Sequence, residues 1–165
     1  MPLVLKTPLP KTSHLWTHVQ TGDFIDGYCV AAELPPKLAA EIGLTMPAWA
    51  NFLLALRNKI VAPLGLKTET DASSGDSENL IFPTTYESVD EIILGTDDKH
   101  LNFRIAVRRE AGMIHMATWV HRNNLMGRIY LGLVMPFHIL IVRDAMRRIA
   151  RHGTAAPIAS PPSTH

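Results

Sequence analysis

The chain has 165 residues, 47% of them hydrophobic and 19% charged, which suits one globular domain with a sizeable core and excludes a disordered chain or a fibre. With 16 basic and 15 acidic residues the net charge is +1, a field too weak to recruit nucleic acid or an anionic membrane. The single cysteine, Cys29, excludes an internal disulfide and a four-cysteine zinc site, and fits a reducing, cytoplasmic setting.

Residues 1–20 read as an extended N-terminal arm, because Pro2, Pro8 and Pro10 disfavour helix. The opening "MPLVLKTPLPKTSHLW" lacks the continuous apolar core of about 7 to 15 residues that a secretory signal needs. A single domain is expected over 21–152. It begins with "DFIDGYCVAAEL", where Phe24, Ile25, Tyr28 and Val30 suggest a first strand. "PPKLAAEIG" follows as a short helix with proline in its first turn and Gly43 at its end. A second helix opens at Thr45 and Pro47, with Trp49, Phe52, Leu53, Leu56 and Ile60 at helical spacing until Pro63 and Gly65. "KTETDASSGDSENL" is small, polar and without periodicity, as in a loop.

Five strand-length runs come next: "FPTTYESV", "EIILGTD", "LNFRIAVRRE", "MIHMATWVHR" and "GRIYLGLVM". "GTDD", "EAGM" and "RNNLMG" supply the turn residues between them. Pro136 then opens "PFHILIVRDAMRRIARH", with Phe137, Leu140, Ile141, Ala145, Met146 and Ile149 at helical spacing. Residues 153–165 form a Pro/Ser/Ala tail expected to be disordered. No stretch is read as approaching the ~20 apolar residues of a bilayer span, and no membrane insertion is expected.

A strand, two helices, a five-strand meander and a long C-terminal helix predict an α+β helix-grip fold, a curved antiparallel sheet wrapped around that helix. The order of elements resembles the START-like, or SRPBCC, superfamily, whose members include lipid-transfer domains, a birch-pollen allergen and aromatic polyketide cyclases. "DDKHLNFR", "TWVHRNNLMGRIYL" and "MPFHILIV", with "WANFLLALRNKIVAPLGL" as the long helix, resemble a bacterial family of unknown function in that superfamily. Members of that family also occur fused behind short-chain-dehydrogenase-like NAD-binding domains. The resemblance spans roughly residues 20–150 and implies a fold but no reaction. No Gly-rich phosphate loop follows a strand here, so no dinucleotide cofactor is expected, nor any other.

On strand 101–108, Leu101, Phe103, Ile105 and Val107 share one face, which should meet the helix. His100, Asn102, Arg104 and Arg108 share the other, outer face, where Arg104 is expected to be solvated or ion-paired or, alternatively, to anchor an acidic partner. The next two runs are apolar on both faces in places, which demands either a covered outer face or a bulge. Trp119 and Tyr130 are expected to form part of a homodimer surface. His100, His115, His121 and His138 match no compact ligand spacing, so no metal site is expected. His138, placed by this reading in the first helical turn after Pro136, suits a neutral general base. "GTDDKH" gathers Asp97, Asp98 and His100 at a hairpin tip.

Two functions lead, and a third, a filled interior whose outer sheet face acts as an interaction module, rests on the two-sided apolar strands alone. One is binding of an apolar or aromatic small molecule between sheet and helix, lined by Phe103, Ile105, Thr118, Leu131, Phe137 and Ile141. The other is a cyclase-, isomerase- or dehydratase-like enzyme in the same cavity, with His138 moving the proton and Tyr130 or Arg104 polarising an oxygen.

Overall fold

The computed structural model of the protein describes residues 2–44, 82–97 and 100–153. Within them lie β1 (Leu5–Lys6), β2 (Phe24–Ala31), α1 (Pro36–Gly43), β3 (Thr84–Glu87), β4 (Glu91–Asp97), β5 (Leu101–Glu110), β6 (Met113–Arg122) and α2 (Leu125–Gly153). The described strands form one open, antiparallel, six-stranded sheet in the order β1-β2-β6-β5-β4-β3, and α2 lies across one of its faces in a helix-grip arrangement. The expected helix at 49–66, the polar loop after it, Asp98 and the tail beyond Gly153 fall outside the described residues.

Local chemistry accounts for the meander. Ala111 and Gly112 both take positive φ, 51° and 74°, which makes the two-residue turn that matches the twist of β5 and β6. The pairing runs without a shift from Glu110↔Met113 to Leu101↔Arg122. Because directly opposed residues of antiparallel strands share a face, register assigns every side chain to one of two layers.

The helix-facing layer carries the main core. Tyr28, Val30, Ile92, Leu94, Val107, Ile114 and Met116 pack against Val142, Met146, Ile149 and Ala150 of α2 and against Ala39 and Ala40 of α1. Gly43 is where the two helices and β6 converge, since a Cβ there would come within 2.9 Å of Ile149 Cδ1 and 3.1 Å of Met116 Cε. Each fully buried Ile or Met in this layer contributes roughly 1.5–3 kcal/mol.

One strand expected from the sequence is helix. "GRIYLGLVM" belongs to α2, which runs 29 residues and carries Pro136 in its interior. Its start is set by Asn124, whose Oδ1 accepts the Gly127 N–H at 3.1 Å. This is an N-cap where the asparagines and glycine had suggested a turn. Gly127 also lies so close to β5 that a Cβ would meet the His100 carbonyl oxygen at 2.2 Å, so only glycine lets the helix begin there. Over its first half α2 buries little: Leu131 joins Leu101 and Val120, with Phe24, Phe103 and Tyr130 partly buried beside them. Leu125, Ile129, Leu133, Phe137 and Leu140 form a stripe of 45–69% exposure. Undivided, α2 is long and apolar enough to cross a membrane by length and composition, with mean hydropathy 1.8 over an 18-residue window that is 17% buried. This corrects the expectation that no such stretch exists. Core helices of soluble proteins that are mostly buried pass the same test of length and composition.

The opposite layer is covered by the N-terminal segment, which answers why β6 is apolar on both faces. Leu5 and Lys6 pair with Cys29 and Tyr28 at the sheet edge. A 3-10 turn at His14–Thr17 follows. Leu9 and Leu15 are buried with Ile93, Ala106, Ala117 and Trp119, and Trp16 and Val19 pack against them. Gly27 admits the crossing chain, since a Cβ would strike Thr7 O at 2.3 Å. The buried Glu91 carboxylate anchors the turn by accepting the Ser13 hydroxyl and, at 2.7 Å, the His14 N–H.

Candidate functional site

The site is built from one row of the helix-facing layer. Register places Leu94, Ile105, Thr118 and Asp26 abreast on β4, β5, β6 and β2. Val120 and Phe24 stand in the next row, with Phe103 opposite Val120. Asp26 is therefore a carboxylate in an otherwise apolar stretch, and only 7% of its side chain is exposed. Its Oδ2 lies 3.1 Å from His138 Nε2 on α2, and its Oδ1 accepts the Thr118 backbone N–H at 3.4 Å. The Phe24 ring meets the His138 imidazole edge-on, at 6.2 Å between centroids and 78° between planes.

This arrangement has definite chemistry. A neutral His138 that donates Nε2–H to Asp26 keeps Nδ1 as its basic nitrogen, and the carboxylate holds the ring in that tautomer. Tyr28 lies two residues along the same face of β2. Burial, and then the Asp26 charge, push its phenol above the ordinary value, so it stays a hydrogen-bond donor across neutral pH. The Thr118 side chain is buried beside Asp26 in the same row.

The expected lining is brought together in part. Phe103 and Leu131 share one cluster, Ile105 packs on the main core, and Thr118 lies between them in the sheet. Ile141 is half-buried on α2, whereas Phe137 belongs to the exposed stripe and faces away from the sheet row. His138 faces the row and sits in mid-helix, because α2 begins at Leu125. The argument from a positive helix terminus therefore does not apply to it.

Arg104 lies across the sheet from His138. Register puts it opposite Trp119 and Gly95 on the outer layer, where it pairs with Asp97 at 2.8 Å. It cannot polarise a group held by His138, which corrects that expected partnership. Tyr130 is partly buried on the helix side in the Leu101, Val120 and Leu131 cluster. Trp119 is 5% exposed beneath the N-terminal segment, so it and Tyr130 do not form one outward surface. Of the hairpin-tip group, Asp97 turns to Arg104, while His100 is buried with Nδ1 against the Asn124 side chain. Among the described residues, no three His, Cys, Asp or Glu side chains gather as a metal ion would require.

Asp26 and Tyr28 were missed by sequence reasoning as site residues. Their signal was present in "FIDGYCV": Phe24, Asp26, Tyr28 and Val30 share one strand face, and a lone carboxylate on an apolar face calls for a partner.

Comparison with curated proteins and with solved structures finds no match. A family model described as a protein of unknown function matches residues 18–145, a span that runs from the end of the N-terminal segment through all but the last turns of α2. On that match over most of its length, the chain belongs to the DUF2867 family.

Proposed function

We propose that the protein binds an apolar or aromatic small molecule between the sheet and α2, in the manner of the START-like helix-grip proteins that its motifs resemble. The observation that carries this reading is the buried Asp26–His138 pair within a layer of Phe24, Phe103, Ile105, Val120 and Leu131. A buried polar pair of this kind stabilises a core no better than well-packed hydrophobic residues would. In a binding site the same pair orients the one polar group of an otherwise apolar ligand, as ligand pockets commonly require. The Thr118 hydroxyl and the Tyr28 phenol add donors on that side.

Native mass spectrometry of the protein purified from cells tests this. A mass excess that disappears on denaturation is the expected result, and Phe103→Ala should reduce its occupancy. A clean unliganded mass under gentle conditions, with no shift on adding an aromatic probe such as 1-naphthol, would overturn it.

A second reading is proton transfer in the same place, favoured by the hydrogen bond that Asp26 accepts from His138 Nε2, which would leave Nδ1 as the base. His138→Ala should then abolish turnover of a bound substrate and leave its binding intact. Asp26→Asn should lower turnover without removing it.

A further inference from the structure

The outer layer contains a cavity of about 320 Å³ on the side of the sheet away from α2, at the small end of the range for ligand pockets. His18, Asp97, Asn102, Arg104, Trp119 and His121 are among its walls. Two adjacent sheet rows build the floor: Trp119 opposite Arg104, and His121 opposite Asn102, which is opposite Asp97. His18, just after the 3-10 turn, brings the N-terminal segment over it. Gly95 of β4 lies opposite Arg104 of β5, and a Cβ there would strike the Phe103 carbonyl oxygen at 2.1 Å and come within 3.0 Å of Arg104 Cδ.

Three rings give the cavity flat walls. His18 is tilted against Trp119 at 5.6 Å, and His121 lies within 19° of parallel to it at 6.4 Å. Asp23 fixes two of the three, accepting from the Trp119 indole N–H at 2.8 Å and lying 2.5 Å from His121 Nδ1. Burial alone would raise the Asp23 carboxyl. Hydrogen bonds from His121, the Gln20 N–H and Trp119 outweigh it and hold the group ionised below its ordinary value. With Nδ1–H directed at that carboxylate, His121 keeps Nε2 as its second ring nitrogen for another partner.

Arg104 is the cation of this site. Its side chain is 12% exposed and is steadied by the Phe103 carbonyl at 2.8 Å, while its ionic partner Asp97 is 61% exposed. The guanidinium Nε is buried with no partner among the described residues. An ion pair with so exposed a carboxylate is worth at most about 1 kcal/mol, so a better-placed anion displaces it readily.

We propose that this outer cavity is a second ligand site that takes a small planar carboxylic acid, with the carboxylate exchanging for Asp97 on Arg104 and the flat body against Trp119 and the two imidazoles. The site is independent of the one between sheet and helix, and Trp119 and Arg104 serve here and not there. His18 supports the assignment as an uncharged wall: burial first, then Arg104 and His14, lower its proton affinity.

The test is an amide- and indole-resolved NMR titration of the full chain with benzoate, beside its neutral isostere benzamide. Benzoate should give saturable shifts at Trp119, Asn102 and His121, and benzamide should bind at least about tenfold more weakly. Arg104→Gln should weaken benzoate by a similar factor. Asp97→Asn removes only an exposed competitor, so it should fold normally and tighten benzoate about threefold or more. His138→Ala should leave benzoate affinity unchanged, which separates this proposal from the one for the helix side. Equal binding of benzoate and benzamide, shifts confined to Phe103 and Leu131, or no tightening in Asp97→Asn would overturn it.

Discussion

The two faces of the sheet solve one problem in different ways. Each buries an aspartate against a histidine, Asp26 with His138 on the helix side and Asp23 with His121 on the outer side. On the helix side the partners come from β2 and from mid-α2, more than 100 residues apart, and the cover is a helix whose C-terminal half is deeply packed. On the outer side the cover is an irregular N-terminal segment held by Leu9, Leu15 and the Glu91 carboxylate. Regular structure satisfies its own backbone, so the C-terminal half of α2 holds to the sheet mainly through apolar contacts. The arm instead relies on specific side-chain hydrogen bonds to close its turn.

That difference predicts unequal consequences when each cover is loosened. Ile149→Ala should destabilise the whole domain by about 2–5 kcal/mol in urea denaturation, because the cavity it leaves opens onto both helices and the sheet. Leu15→Ala should fall at the low end of that range, since the arm can yield locally. Equal losses would mean that the two covers form one cooperative unit.

Glu91→Gln should cost about 1–3 kcal/mol by weakening the acceptor shared by Ser13 and His14. Its signature is faster amide exchange at His14 and Leu15, while Met146 and Ile149 keep their protection. Acid should discriminate the faces in the same way. His18 and His115, both on the outer layer, are held below the ordinary histidine value chiefly by burial. The folded protein therefore takes up their protons less readily than the unfolded chain, and stability present above about pH 6.5 is lost as pH falls below it. Asp23, whose folded carboxyl lies below its ordinary value, adds stability that is lost only as pH falls further, below about 4. Between pH 7 and pH 5.5, protection factors, corrected for the intrinsic pH dependence of exchange, should fall first in residues 9–19.

The smallest expected effect tests the orientation of α2. Leu133→Ser, on the exposed stripe, should change stability by no more than about 0.5 kcal/mol, whereas Leu131→Ala, two residues away and buried, should cost about 2 kcal/mol or more. In a strand these two residues would share a face, so similar losses would restore the strand expected from the alternating pattern.

Much of the sheet was legible because period-two alternation is decisive where one face is buried. The split of strand 101–108 into Phe103, Ile105 and Val107 against Arg104 and Arg108 is the split that register produces. The same rule failed at "GRIYLGLVM". There Ile129, Leu131 and Leu133 match a strand by alternation, and the helix is declared only by the Asn124 cap and by Gly127 against the His100 carbonyl. His138 was legible as chemistry, but its partner was not, since Asp26 pairs with it across 112 positions. The arm was the larger omission: prolines that read as extended chain carry no information about Glu91, which accepts from Ser13 and His14 at a 3-10 turn.

By itself, then, the sequence determined the α+β class, the paired strands from Phe24 to Arg122 and the assignment of side chains to their faces. These follow from backbone geometry that repeats every two or every 3.6 residues. The tertiary structure alone decided what covers each face, where α2 begins, and which aspartate meets which histidine. Those outcomes depend on contacts between residues far apart in the chain, where capping, close backbone approach and the burial of a carboxylate outweigh any local preference.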